Sequence, residues 1–136
     1  MTADTPAHDH ARILLIDDDR VFAIWVAHVL RRHGGFELTH VLDAAEGLRR
    51  AETEPWDLVI TDIEMPGIRG PELIERMRRG NSSLAVAVVT AHASTEPAVA
   101  ALPSSVQVLP KPMSADAFLG KVTALVTHGR GARQPR

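Results

Sequence analysis

Three short runs of almost continuously apolar residues constrain the fold of this chain more than any other feature of its sequence. They lie at residues 12–16, 57–61 and 84–90, and their lengths suit strands better than helices. A strand with one face in water alternates apolar and polar residues, whereas a continuously apolar strand is buried on both faces. The runs therefore predict interior strands of a parallel sheet that helices cover on both sides.

Two further strands and five helices fit around these runs. The strands are predicted at 36–41 and 106–109, and the helices at 19–33, 43–53, 71–79, within 94–103, and at 114–127. In the first helix, helical spacing predicts one apolar face, made of Val21, Phe22, Trp25, Val26, Val29 and Leu30. Strands that alternate with helices are joined by right-handed crossovers. The 136 residues therefore predict one α/β domain, a three-layer sandwich of five parallel strands and five helices.

Polar residues follow four of the predicted strands at their carboxyl ends. Asp17 and Asp18 follow the first strand, Asp62 the third, Thr90 ends the fourth, and Lys111 follows the fifth. Ligands of open α/β sheets bind beyond these strand ends. A carboxylate beside a buried strand is costly without a partner, so we expect one shared pocket. Oxygen ligands and one ammonium group suit both Mg²⁺ and a phosphoryl group.

The composition argues against several classes of function. The chain has no cysteine, which excludes disulfides, thiol nucleophiles and thiolate metal sites. Its net charge of −2 gives no support for binding to nucleic acid or to a membrane surface. The polar N-terminus lacks the apolar core of a secretion signal, and no apolar run approaches transmembrane length. We expect a cytoplasmic protein, a monomer or weak dimer, with no nucleic-acid or membrane partner.

Four segments together carry a family pattern, and they lie at 13–19, 57–67, 88–91 and 110–112. In this order they resemble the receiver domain, the phosphoacceptor module of two-component response regulators. The resemblance covers about residues 12–127 and implies the flavodoxin-like strand order 2-1-3-4-5. We expect a receiver domain at 12–128, between a flexible tail at 1–11 and a flexible basic tail at 129–136.

The resemblance also implies a phosphorylation reaction. Asp62 matches the aspartate that attacks the phosphorus of a phosphohistidine and becomes an acyl phosphate. Lys111 matches a lysine that places positive charge on a phosphoryl oxygen, and the Thr90 hydroxyl matches the donor to another. The implied phosphoryl donor is a sensor histidine kinase or a histidine phosphotransfer protein.

A divalent metal is the implied cofactor. Asp17 and Asp18 match the acidic pair that holds Mg²⁺ (or Mn²⁺), with Asp18 as a direct ligand and Asp17 acting largely through water. Asp62 and the backbone carbonyl of Glu64 match further protein ligands. Mg²⁺ takes about six oxygen ligands and keeps several waters, which suits this set. Without metal, the three carboxylates repel one another, so we expect metal binding to stabilise the fold.

Four more positions have implied roles. Pro112 matches a family proline that is preceded by a cis peptide bond. Glu64 and His92 match positions that border the phosphoryl group and tune its hydrolysis. Many family members carry an aromatic residue three positions before the lysine, where this chain has Val108. A switch that depends on that aromatic ring is therefore not expected in this chain.

The sequence predicts a stand-alone receiver that is not an enzyme beyond its own phosphorylation and dephosphorylation. We expect no output domain after residue 128, and we expect the signal to pass through phosphorylation-dependent contacts with an unknown downstream protein. One alternative is a phosphorylation-independent binding module on the same fold. Another is a phosphatase, because 61–65 resembles the nucleophile motif of haloacid-dehalogenase-like enzymes. Those enzymes, however, carry the nucleophile on their first strand and usually have Asp where this chain has Glu64.

Overall fold

Five parallel strands form a single sheet in the order β2-β1-β3-β4-β5, as the resemblance implied. The computed structural model describes residues 10–133, with side chains described as far as residue 129. The strands are β1 (Ala11–Ile16), β2 (Phe36–Val41), β3 (Leu58–Asp62), β4 (Val86–Thr90) and β5 (Gln107–Pro110). The three continuously apolar runs correspond to β1, β3 and β4, which are the interior strands of the sheet.

A helix follows each strand along the chain. The helices are α1 (Arg20–His33), α2 (Ala44–Thr53), α3 (Gly70–Gly80), α4 (Pro97–Ala100) and α5 (Ala115–Arg133). Local sequence explains where several begin, because an N-cap side chain satisfies a backbone amide that has no partner inside the helix. Asp19 accepts from the backbone amide of Phe22 at 3.0 Å, and Ser114 accepts from that of Ala117 at 3.0 Å. Among the described helices, none is both long enough and apolar enough to cross a membrane.

The core lies in two layers, one on each face of the sheet. Successive residues of a strand point to opposite faces, so Leu14 and Ile16 pack in one layer while Ile13 and Leu15 pack in the other. The first layer also contains residues of α2, α3 and α4, and the second contains residues of α1 and α5. This arrangement is the predicted three-layer sandwich.

A close approach between α2 and β1 fixes the strand end that leads into the site. Gly47 is buried on α2, and a Cβ atom there would lie 2.5 Å from Cδ1 of Ile16. The absence of a side chain at Gly47 therefore lets the helix pack directly on Ile16, the last residue of β1. Asp17, the next residue, leaves the sheet from a firmly packed position.

The predicted end of α5 at residue 127 is wrong, because the helix continues to Arg133. Gly129 is buried, and a Cβ atom there would meet the carbonyl oxygen of Asp57 at 3.0 Å and Cβ of Ala85 at 3.2 Å. A glycine at this point lets the helix continue against the sheet. The helix therefore includes the first residues of the tail predicted at 129–136.

The N-terminal boundary also moves by one residue. Ala11 belongs to β1, and its backbone amide donates to Gly35 O at 2.9 Å. The rest of both predicted tails, 1–9 and 134–136, lies outside the described residues.

The predicted apolar face of α1 is partly wrong. Val26, Val29 and Leu30 are buried as predicted, but Val21 is 77% exposed. Ile24, which is apolar but was not predicted on this face, is 70% exposed. Apolar residues occur on more than one face of this helix, so helical spacing alone did not decide which face packs.

Candidate functional site

The side chains predicted to share a pocket lie together at the carboxyl edge of the sheet. Strand register produces this meeting, because Ile16 pairs with Thr61 and Thr90 pairs with Pro110. Three strand ends therefore lie side by side at this edge. They carry Asp17 after β1, Asp62 as the last residue of β3, and Lys111 after β5. The residues brought together in this way are Asp17, Asp18, Asp62, Thr90 and Lys111.

Three carboxylates form the acidic part of the site. One oxygen each from Asp17, Asp18 and Asp62 lies within 4.8 Å of the others. Asp17 is fully buried, Asp62 has 10% of its side chain exposed, and Asp18 is exposed. Like charges about 4 Å apart repel by about 4 kcal/mol at the effective dielectric near a protein surface. The cluster therefore favours binding of a cation.

Lys111 brings positive charge to the two less exposed carboxylates. Its Nζ lies 2.9 Å from Oδ2 of Asp17 and 3.5 Å from Oδ2 of Asp62. Burial lowers the pKa of Lys111, but Asp17 and Asp62 outweigh burial and raise the pKa above its ordinary value. The ammonium group therefore stays charged at neutral pH. The peptide bond between Lys111 and Pro112 is cis, as the resemblance implied.

Asp17 retains an oxygen suited to a metal ion. Its Oδ1 accepts a hydrogen bond from the backbone amide of Asp19 at 2.9 Å. Its Oδ2 is buried and pairs with the charge of Lys111, yet it has no partner of hydrogen-bond geometry among the described residues. A buried carboxylate oxygen with unused acceptor capacity is a fitting ligand for a hard cation.

The surroundings of Asp62 disfavour the ionised form of its carboxyl group. Burial raises the pKa of Asp62, and the charge of Asp17 raises it further, while Lys111 and the backbone amide of Glu64 act in the opposite direction. That amide donates to Oδ1 of Asp62 at 2.9 Å. The amide of Glu64 and the more distant Nζ of Lys111 thus orient the carboxylate, and 10% of the side chain stays exposed.

Thr90, Glu64 and His92 form one hydrogen-bonded group beside the carboxylates. The Thr90 hydroxyl donates to the carboxylate of Glu64, and its oxygen accepts from the backbone amide of His92 at 3.0 Å. Nδ1 of His92 lies 3.1 Å from each carboxylate oxygen of Glu64. The two positions implied to tune hydrolysis are therefore in contact with each other and with Thr90.

His40 is a residue at the site that the sequence did not predict. Its Nε2 lies 2.7 Å from the backbone carbonyl oxygen of Asp17. A carbonyl oxygen only accepts, so the ring nitrogen is the donor. His40 lies on β2, opposite Leu15 of β1 in the sheet. The strand order together with this register would have identified it.

Comparisons with known proteins give a consistent result. The family model described as the response regulator receiver domain matches residues 13–123. A response regulator receiver protein of Anaeromyxobacter sp. strain Fw109-5 is 36% identical over 109 residues, which are 79% of this chain and 45% of that protein. The chain spans about half or less of the length of the curated relatives that it matches.

Solved structures agree with the fold described above. The CheY-like receiver domain protein of Methanospirillum hungatei JF-1 has a TM-score of 0.80 and 27% identity, covering 90% of this chain and 98% of its own. The response regulator TrrA of Thermotoga maritima, solved in complex with Mg²⁺ and BeF, has a TM-score of 0.72 and 28% identity, covering 85% of this chain and 98% of its own.

Proposed function

The chain belongs to the response regulator receiver domain family, and from that premise we propose that Asp62 accepts a phosphoryl group from a phosphohistidine. The donor would be a sensor histidine kinase or a histidine phosphotransfer protein. The observation that carries the proposal is the position of Asp62, which lies in a cluster of three carboxylates and 3.5 Å from Lys111. This arrangement supplies a nucleophile, oxygen ligands for a cation and a positive charge in one place.

The proposed reaction is a displacement at phosphorus. A carboxylate oxygen of Asp62 forms a bond to phosphorus while the bond from phosphorus to the histidine nitrogen breaks. The imidazole leaves with that electron pair, and Asp62 becomes an acyl phosphate. Lys111 neutralises charge on the transferred group, because positioning and charge neutralisation account for most of the catalysis of phosphoryl transfer.

We also propose a divalent metal at the acidic cluster. The carboxylates of Asp17, Asp18 and Asp62 and the backbone carbonyl of Glu64 would hold Mg²⁺ or Mn²⁺, and the buried Oδ2 of Asp17 fits such a ligand. When bound, the ion offsets the carboxylate repulsion and the charge of the phosphoryl group. The similar regulator from Thermotoga maritima was solved with Mg²⁺ and BeF, which supports this proposal.

In this proposal the protein transmits a signal and does not turn over an external substrate. The phosphorylated receiver would change its affinity for a downstream protein. A stand-alone receiver and a monomer or weak dimer remain predictions. The domain would run from β1 through α5, which moves the predicted bounds of 12–128 slightly outward.

Phosphoryl uptake from a small donor tests the proposal. The protein is incubated with phosphoramidate and Mg²⁺, and intact mass is followed over time. We expect one phosphoryl group per chain, and no uptake when a chelator removes the metal. Absence of uptake beside an active receiver control would contradict the proposal and favour a phosphorylation-independent binding module. Sustained turnover of a phosphomonoester would favour the phosphatase.

A further inference from the structure

The Thr90 hydroxyl already has an acceptor within the protein. We propose that the Glu64 carboxylate competes with the phosphoryl group for the hydroxyl proton of Thr90, and thereby stabilises the unphosphorylated arrangement of the site. This inference rests on the proposed function and adds a means of regulating it. Glu64 would act on the phosphoryl group through Thr90, as a positioning residue.

The first step is the hydrogen bonding of Thr90. Thr90 is fully buried, so its hydroxyl cannot exchange freely between protein and bulk water. A hydroxyl group has one proton to donate. In the structure that proton goes to Glu64, while the oxygen accepts from the backbone amide of His92 at 3.0 Å. Donation to a phosphoryl oxygen therefore requires the bond to Glu64 to break.

The second step is that Glu64 is held in position for this contact. Nδ1 of His92 lies 3.1 Å from both carboxylate oxygens of Glu64. The backbone amide of Glu64 donates to Oδ1 of Asp62. The carboxylate is therefore held beside the end of β4, while the backbone of Glu64 is hydrogen-bonded to the phosphoacceptor. Only 27% of the Glu64 side chain is exposed.

The third step is the charge of Glu64. The Glu64 carboxylate accepts the hydrogen bond from Thr90 and lies beside Nδ1 of His92. An ionised carboxylate only accepts hydrogen bonds, so Glu64 cannot donate to a phosphoryl oxygen in place of Thr90. Hydrogen bonds to an ionised acceptor are stronger than neutral ones, which makes Glu64 an effective competitor.

Beryllofluoride, a mimic of the phosphoryl group, provides the test. It is titrated by calorimetry into wild type, Glu64→Gln and Glu64→Ala at saturating Mg²⁺. Loss of one hydrogen bond to a charged group predicts about tenfold tighter binding by Glu64→Ala. The affinity of Glu64→Gln for beryllofluoride is expected to lie between those of wild type and Glu64→Ala, because its amide oxygen still accepts from Thr90 without a full charge. The exposed Glu52→Gln serves as the matched control and should bind like wild type.

A double-mutant cycle with Thr90→Ala separates competition from simple charge repulsion. In the Thr90→Ala background, Glu64→Ala should give little further gain, because the shared proton is gone. If Glu64→Ala raised the affinity for beryllofluoride equally with and without Thr90→Ala, charge repulsion alone would explain the gain and the inference would be overturned. If wild type bound beryllofluoride and Glu64→Ala bound it no more tightly, the inference about Glu64 would also be overturned, while the proposed function would stand. Failure of every variant and wild type to bind would refute the proposed function itself.

Discussion

Replacement of Asp62 by Asn is expected to lower phosphoryl uptake by on the order of a thousandfold or more, because the amide is a far weaker nucleophile than a carboxylate. Uptake from phosphoramidate would be followed by intact mass at saturating Mg²⁺. Asp116→Asn is the matched control, because Asp116 is an exposed carboxylate in the first turn of α5. Uptake by Asp62→Asn at the wild-type rate would contradict the assignment of Asp62.

Asp62→Asn should remain folded, and without metal it should be more stable than wild type at neutral pH. Burial is the main cause that raises the pKa of Asp62 above its ordinary value of 3.8, so folding disfavours the ionised form. The stability that the protonated group contributes is present below that ordinary pKa and is lost as pH rises through the raised pKa. Urea unfolding in chelator should therefore show this loss in wild type and a smaller loss in Asp62→Asn. Equal pH dependence in the two proteins would show that burial of Asp62 does not raise its pKa.

Mg²⁺ is expected to produce the second large effect, a gain in the free energy of unfolding. A ligand that binds only the folded protein stabilises it by about 2.7 kcal/mol at a concentration of 100 times its dissociation constant. The gain arises because the cation relieves repulsion among Asp17, Asp18 and Asp62. Urea titrations with and without Mg²⁺ would measure it.

Variants of the acidic cluster test where the metal binds. Asp18→Asn removes one carboxylate from the cluster and should lose most of the gain from Mg²⁺. Glu52→Gln removes an exposed carboxylate on α2 and should keep the gain. An equal gain from Mg²⁺ in Asp18→Asn and wild type would place the metal elsewhere.

Much of the fold could be predicted because strands that are buried on both faces are continuously apolar in sequence. The continuously apolar runs identified the interior strands β1, β3 and β4. The end of α5 was missed because Gly129, although glycine is usually a sign of a helix end, allows a close approach to Asp57 and Ala85. The outward position of Val21 and Ile24 depends on how α1 packs on the sheet, which helical spacing does not determine.

The candidate site was predictable as a set of positions and less so as a set of contacts. Polar residues at strand ends identified the pocket, because parallel strands end at one edge of the sheet. The contact between His40 and Asp17 required the register of β2 against β1, which local sequence does not give. The bond from Thr90 to Glu64 depends on side-chain conformation, so the resemblance implied a role for each residue but did not pair them.

Chemical identification of the phosphorylated residue would decide the proposed role of Asp62 most directly. Borohydride reduces an aspartyl acyl phosphate to homoserine, and peptide mass spectrometry then locates the change. After treatment with phosphoramidate and Mg²⁺, we predict homoserine at position 62. Homoserine at position 17 or 18, or phosphorylated protein in which no aspartate is reduced, would contradict the assignment.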